Sequence, residues 1–198
     1  MFISFEGVDG CGKSTQARRL ADTLRDEGRT VRLTREPGGS PGAEEIRHLL
    51  VEGRSDRWSP ETELLLFTAA RRDHVERLIR PSLAAGDTVI SDRFADSTRV
   101  YQGVARADLA PRVEDLHRMM IGIEPDRTFI LDLDPAEALG RGVARDAGED
   151  RFETMGLDFQ NRLRAGFLAL AEAHPARIRV IDASGPAEAV AARIRAAL

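Results

Sequence analysis

Eight consecutive residues, Gly7-Val8-Asp9-Gly10-Cys11-Gly12-Lys13-Ser14, match the spacing G-x-x-x-x-G-K-S/T directly behind the short apolar run Phe2 to Phe5. The chemistry of that spacing is phosphate binding. Glycine has no Cβ to block an approaching oxygen, so successive backbone N–H groups can turn inward and donate to it. Lys13 is then placed to reach the β- and γ-phosphates of a nucleotide, and the Ser14 hydroxyl to hold Mg2+. The expected phosphate-binding stretch therefore runs from Gly7 to Thr15. Of the 29 basic residues Lys13 is the only lysine; the other 28 are arginines. In a chain that uses arginine everywhere else, a lysine here marks a place for a compact ammonium rather than a planar fork.

Phosphoryl transfer asks a protein mainly to position groups and neutralise charge. A donor such as ATP and a nucleoside monophosphate acceptor together bring about six negative charges, which Mg2+, Lys13 and about four arginines would balance. Arg35 follows an apolar run and precedes Glu36-Pro37-Gly38-Gly39, which must turn sharply and leave the guanidinium at a strand end. It suits a bidentate phosphate clamp or an ordinary exposed turn. Asp92 closes the run Thr88-Val89-Ile90-Ser91, where a carboxylate would hold Mg2+ or its water, and Arg93 adjoins it. A turn with a surface ion pair has the same pattern. Asp132 and Asp134 rank lower for the metal, since no arginine adjoins them in sequence.

Arg141, Arg145 and Arg151 lie in and beside a glycine-containing stretch, 140–150, which reads as a solvated loop or as a lid over ATP. In Leu64-Leu65-Leu66-Phe67-Thr68-Ala69-Ala70-Arg71, Phe67 and Arg71 are four apart. A helix would set a ring able to stack on a flat base beside a guanidinium able to donate to its carbonyl, although such a Phe also fits a core. No general base is evident. A phosphate acceptor, already anionic at neutral pH, needs none.

These residues require a scaffold that gathers strand ends. Five apolar runs, Phe2 to Phe5, Thr30 to Leu33, Thr88 to Ser91, Thr128 to Leu133 and Ile178 to Ile181, alternate with helical patterns. The first helix, Ser14 to Glu27, puts Ala17, Leu20, Ala21 and Leu24 on one face and stops at Gly28. Further helices are predicted over Glu61 to Ala85 with a bend near Pro81, Leu109 to Ile123, Pro135 to Arg145, Phe152 to Ala173 and Pro186 to Ala197. The alternation predicts an α/β fold of the three-layer P-loop NTPase type, a five-stranded parallel sheet with helices on both faces and ligands beyond the strands' carboxyl ends. The 198 residues are expected to form a single domain with a mobile lid at about 140–151.

The formal net charge of −4 argues against generic nucleic-acid binding, which needs a basic face. One cysteine, Cys11, excludes an intrachain disulfide and suits a reducing compartment, so a cytoplasmic location is expected. No apolar run approaches membrane-spanning length and no basic leader precedes one, so no membrane partner is expected.

Phe-Glu-Gly-Val-Asp-Gly-Cys-Gly-Lys-Ser-Thr (5–15), Thr-Arg-Glu-Pro-Gly-Gly (34–39), Leu-Leu-Phe-Thr-Ala-Ala-Arg (65–71), Asp-Arg-Phe (92–94), Ser-Thr-Arg-Val-Tyr-Gln-Gly (97–103) and Asp-Arg-Phe-Glu (150–153) follow one another along the chain. Over nearly its whole length the sequence closely resembles the thymidylate kinase family of P-loop nucleoside-monophosphate kinases. The resemblance implies phosphorylation of dTMP to dTDP by ATP with Mg2+, in dTTP biosynthesis, by a homodimer. It implies that Asp9 lies near the deoxyribose 3′-hydroxyl, that Arg35 and Arg93 hold the acceptor phosphate, and that Phe67 stacks on thymine while Arg71 reaches its O4. Tyr101 would crowd the place of a ribose 2′-hydroxyl, and Thr98 and Gln102 would line the same pocket. Some members carry a transition-state arginine in the P-loop after the acidic residue. Here that position is Gly10, so the chain resembles the bacterial type, whose lid supplies the arginine: Arg151 first, Arg145 second. Phe94 stands where tyrosine is frequent in the family, and position 98, which varies, is Thr98.

A GTPase switch would need an Asn-Lys-x-Asp guanine reader, but the only asparagine is Asn161, followed by Arg162. Another small kinase is the nearer alternative. A deoxynucleoside kinase needs a carboxylate base at a sugar hydroxyl, and a guanylate kinase needs carboxylates or hydroxyls for guanine's donors.

Overall fold

The computed structural model describes residues 1–52, 57–104, 109–143 and 156–198. Strands β1 (Phe2–Glu6), β2 (Val31–Arg35), β3 (Thr88–Asp92), β4 (Arg127–Asp132) and β5 (Ile178–Asp182) form one sheet in the order β2-β3-β1-β4-β5. All four pairings are parallel. Each apolar run is thus a strand, but four of the five continue further, taking in Glu6, Arg35, Asp92 and Asp182. Hydropathy places a turn at these polar ends, whereas the ladder depends on backbone groups alone and continues through pairs such as Arg35 with Asp92.

Central β1 is buried at all five positions, as a strand covered on both faces must be. Alternation sends Ile3 and Phe5 into the larger core cluster with Ala17, Leu20, Ala21 and Leu24 of α1 (Lys13–Asp26), the face expected from sequence. Phe2 joins a second cluster on the opposite face, with Val75, Ile79 and Phe94. Each large apolar side chain so buried contributes about 1.5–3 kcal/mol.

The remaining helices are α2 (Pro41–Val51), α3 (Pro60–His74), α4 (Arg80–Ala84), α5 (Ala95–Thr98), α6 (Ala110–Leu116), α7 (Pro135–Val143), α8 (Leu157–Ala173) and α9 (Ala187–Ala196). Sequence periodicity overlooks α2, whose buried face of Ala43, Arg47 and Leu50 contains a charge; its start is nevertheless marked by Ser40 followed by Pro41. The expected bend near Pro81 is a widened turn over Val75–Ile79 that joins α3 to α4. There the Arg80 N–H reaches back to the Val75 carbonyl, five residues away. Proline lacks an N–H and crowds the carbonyl four residues before it, so the ladder slips ahead of Pro81. A similar wide turn, His117–Ile121, extends α6 to Gly122, whose φ of 64° stops it. Residues 140–143, where the predicted helix Pro135 to Arg145 overlaps the expected loop, form the last turn of α7, which an Arg141–Glu137 ion pair of 2.6 Å supports.

Behind the sheet's reactive edge, a buried charge cluster ties α5 to β4 and β5. Asp96 accepts from Arg177 at 2.6 and 2.8 Å, from Arg99 at 2.8 Å and from the Thr128 hydroxyl at 3.3 Å. Burial pushes the Asp96 carboxyl up, but Arg177 and Arg99 bring it below its usual value. Asp96→Ala removes the anion between two mostly buried guanidinium groups, and the protein should lose about 3 kcal/mol of stability. Urea unfolding measures this, and an unchanged midpoint would contradict it.

Candidate active site

Topology opens the crevice. The chain leaves β1 for β2, two places to one side, and leaves β3 for β4, two places to the other, so the segments after β1 and β3 part at the carboxyl edge. After β1 comes the glycine loop. It feeds directly into α1, which has Gly12 at its N-cap with φ 99°, no side-chain cap and no acidic residue in its first turn. The first N–H groups of that helix and its positive end are thus left for an anion. Lys13 is buried, its ammonium folded over the loop: Nζ donates to the Val8 carbonyl at 2.8 Å and lies 3.7 Å from Asp9 Oδ1. Cys11 is buried beside it, and burial pushes its thiol up, away from nucleophile chemistry.

Asp9 joins the loop to the turn after β3. Its Oδ1 accepts from Arg93 Nη2, and its Oδ2 from the Tyr101 hydroxyl at 3.2 Å. Arg93 Nη1 also donates to the Gly7 carbonyl at 3.3 Å and to Ser97 Oγ at 3.0 Å, and the guanidinium lies over the Tyr101 ring, 5.1 Å from its centroid. Burial pushes the Asp9 carboxyl up, but Arg93 and Lys13 outweigh it and hold it at about 2. Burial works against the Arg93 charge too, yet Asp9 raises that group well above its ordinary value. Both stay ionised at neutral pH. Burial pushes the Tyr101 phenol up, so it acts as a hydroxyl, and its ring packs edge-on against Phe159 and Phe167.

A second chain of polar groups fixes Arg71 on α3. Its Nε donates to Glu36 Oε2 at 2.7 Å, and its Nη2 to the Phe94 carbonyl at 3.2 Å and to Thr98 Oγ1 at 3.0 Å. The other Glu36 oxygen meets His74 Nδ1 at 3.0 Å, and His74 Nε2 meets Thr34 Oγ1 at 2.8 Å. Burial pushes the Glu36 carboxyl up, but Arg71 and His74 bring it below its usual range. Phe67, one turn earlier on α3, is half-buried. Gln102 is buried and donates to Glu63 Oε1 at 2.9 Å.

At the crevice, Ser14 Oγ donates to Asp92 Oδ2 at 2.5 Å. Asp132 is differently occupied. The arginine that sequence does not place beside it comes from α8, where Arg164 grips both its oxygens at 2.6 and 2.9 Å. Asp134 Oδ1 accepts the Ala136 N–H at 2.9 Å at the start of α7. Arg35 pairs in register with Asp92 at the sheet edge, and its half-exposed guanidinium rests on Glu44 at 3.1 Å.

The structure therefore gathers Asp9, Lys13, Ser14, Asp92, Arg93 and Tyr101 at one edge, links Thr98 to Arg71, and turns the Gln102 amide nitrogen to Glu63. Arg145 and Arg151 lie outside the described residues. Sequence reasoning overlooks Glu6, Glu36, Glu63, His74 and Ser97. A charged residue inside an apolar strand or helix run, as Glu6 and Glu63 are, is the one available signal for such groups.

A loop that folds an ammonium over itself and opens onto an uncapped helix at the carboxyl edge of a parallel sheet defines a P-loop nucleotide-binding protein. The family model for thymidylate kinase matches residues 5–194. A thymidylate kinase of Dinoroseobacter shibae is 68% identical over 99% of this chain and 95% of its own, and one of a Jannaschia species is 63% identical over 98% and 94%. A crystal structure of thymidylate kinase from Ehrlichia chaffeensis superposes with a TM-score of 0.80 at 35% identity, covering 100% of this chain and 97% of that one. The chain belongs to the thymidylate kinase family.

The Asp9 carboxyl, held at about 2 against an ordinary 3.8, contributes stability above its ordinary value that disappears as pH falls through the folded one. Asp9→Asn should be less stable than the unsubstituted protein at neutral pH, with the gap closing between pH 3.8 and about 2. Thermal melts across that window test it; a constant gap would exclude the ion-pair account.

Proposed function

We infer that the protein transfers the γ-phosphoryl group of ATP to dTMP, giving ADP and dTDP, a step of dTTP biosynthesis. One observation carries this reading: a thymidylate kinase family match over residues 5–194 coincides with a crevice that gathers the ammonium, the guanidinium and the carboxylates such a transfer needs. An oxygen of the dTMP phosphate forms the new bond to the γ-phosphorus as the bond to the β–γ bridging oxygen breaks, and that electron pair leaves with ADP. No proton must be removed from the attacking group.

The phosphates of ATP occupy Gly7 to Thr15, with Lys13 against the β- and γ-phosphates. Ser14 and Asp92 suit Mg2+, because a hydroxyl and a carboxylate that meet at the crevice are hard oxygen donors, and this cation takes one or two protein ligands beside water and phosphate. Once bound, that ion neutralises charge on the β- and γ-phosphates. Arg93 and Arg35 hold the acceptor phosphate, and Asp9 faces the 3′-hydroxyl. Phe67 stacks on thymine, Arg71 donates to O4, Thr98 and Gln102 line the base pocket, and Tyr101 fills the place of a 2′-hydroxyl. Arg151, or else Arg145, brings positive charge to the transferred group. In support of that source, a Cβ at Gly10 would meet the Ala138 carbonyl oxygen at 2.0 Å, which leaves a P-loop arginine no room while α7 stays in place.

We place the protein in the cytoplasm, as a homodimer. Exposed Leu65, Met119 and Met120, on α3 and the wide turn packed against it, are apolar surface that a second copy would cover.

An ATP-consumption assay against a panel of nucleoside and deoxynucleoside monophosphates tests reaction and acceptor together, and turnover with another acceptor but not dTMP would refute the assignment. Lys13→Ala should lower kcat by about 10²–10³-fold or more while circular dichroism stays unchanged. Arg71→Ala should raise KM for dTMP about tenfold or more with little change for ATP, and equal losses for all pyrimidine monophosphates would refute its role in reading the base.

A further inference from the structure

Glu6 ends β1 with no exposed surface, and no step of the proposed reaction uses it. Alternation along β1 turns it to the side of Phe2 and Ser4, away from α1. A carboxyl group is costly to bury unless its oxygens are satisfied. Both are: Oε1 accepts the Phe94 N–H at 2.7 Å, and Oε2 accepts the Ser97 hydroxyl at 2.5 Å. The same Ser97 Oγ accepts from Arg93 Nη1 at 3.0 Å. One carboxylate thus grips the peptide that follows Arg93 and, through a single hydroxyl, the guanidinium itself. Arg93 needs such a grip. Its φ of 73° makes it the one non-glycine residue with positive φ among the described residues, and such a conformation persists only where its surroundings impose it.

We propose that Glu6 is a positioning residue for the acceptor-phosphate arginine, holding Arg93 in its strained turn through the Phe94 N–H and the Ser97 hydroxyl. The proposal rests on the reading of Arg93 as a phosphate ligand. Ionised Glu6 accepts from both donors with its full charge, whereas a proton on Oε2 reverses the bond to Ser97 and a proton on Oε1 opposes the Phe94 N–H, so the neutral carboxyl holds the turn less firmly. The charged groups around it are Asp96 on α5, itself held by Arg177 and Arg99, and Arg93, itself paired with Asp9. Burial pushes the Glu6 carboxyl up and Asp96 adds to this; the Ser97 hydroxyl, Arg93 and the Phe94 N–H offset part, leaving about 7. The gripping form therefore prevails above neutrality. Its stability consequence has the opposite sign, because the folded value exceeds the ordinary 4.5: the contribution is present below 4.5 and lost as pH rises through about 7.

The test is steady-state kinetics of the unsubstituted protein, Glu6→Gln, Ser97→Ala and Arg93→Ala between about pH 6 and 8.5, with thermal melts of each. Glu6→Gln and Ser97→Ala should raise KM for dTMP about tenfold, as expected for one hydrogen bond to a charged group, with KM for ATP within about twofold. In the unsubstituted protein kcat/KM for dTMP should fall below about pH 7, and Glu6→Gln should flatten that limb. The phosphate of dTMP titrates near pH 6, about one unit lower. A limb still centred at about pH 7 in Glu6→Gln overturns the proposal, whereas a remaining fall centred at about pH 6 is the substrate's own and accords with it. A lower melting temperature with unchanged KM for dTMP also overturns it, since a merely structural carboxylate would give that result. If Glu6→Gln does not fold, Ser97→Ala decides by the same KM. Arg93→Ala separates the two readings: no change in KM for dTMP would refute the phosphate role of Arg93 and the proposal with it, whereas a rise there alone refutes only the role of Glu6.

Discussion

The ion pair between Asp9 and Arg93 joins the loop after β1 to the turn after β3, and the arrangement of the crevice depends on it. Each partner is costly to bury alone. Together, with Lys13 near the same carboxylate and Tyr101 donating to it, they form a cluster of fixed charges beside the phosphate loop. Charges fixed by one another in this way need, on the proposed reading, little reorganisation when charge moves between the substrates.

Around that pair the fold repeats one device: an arginine committed to a buried carboxylate that is itself tied to another element. Glu36 joins the turn after β2 to Arg71 and His74 on α3, and Asp96 joins α5 to Arg177 before β5. In each case burial alone would push the carboxyl up, and the cations bring it down. Glu6 differs from these, a buried carboxylate whose two donors are a peptide N–H and a hydroxyl, with a like charge nearby. Neutral donors compensate burial less than cations do, so this carboxyl changes charge near neutral pH.

A chain so poor in lysine can build these clusters because a guanidinium has several donors in fixed directions. Arg99 reaches Asp96, Glu114 and Glu124 at once, and Arg71 reaches a carboxylate, a carbonyl and a hydroxyl. An ammonium serves at Lys13, where it folds back over a loop to the Val8 carbonyl and lies near Asp9.

The phosphate loop, the five strands and the main face of α1 are legible in the sequence, because each depends on spacing within one segment. Glycine positions, hydrophobic period and a polar residue after an apolar run are local properties, and they survive in any context. Tertiary structure decided which charges meet. That Asp132 belongs to Arg164, that His74 reaches Arg71 through Glu36, and that Glu6 stands behind Arg93 are relations between elements far apart in the chain. They follow from strand order and from which way each strand's pleat points at its carboxyl end, and neither is written in the spacing of the residues themselves.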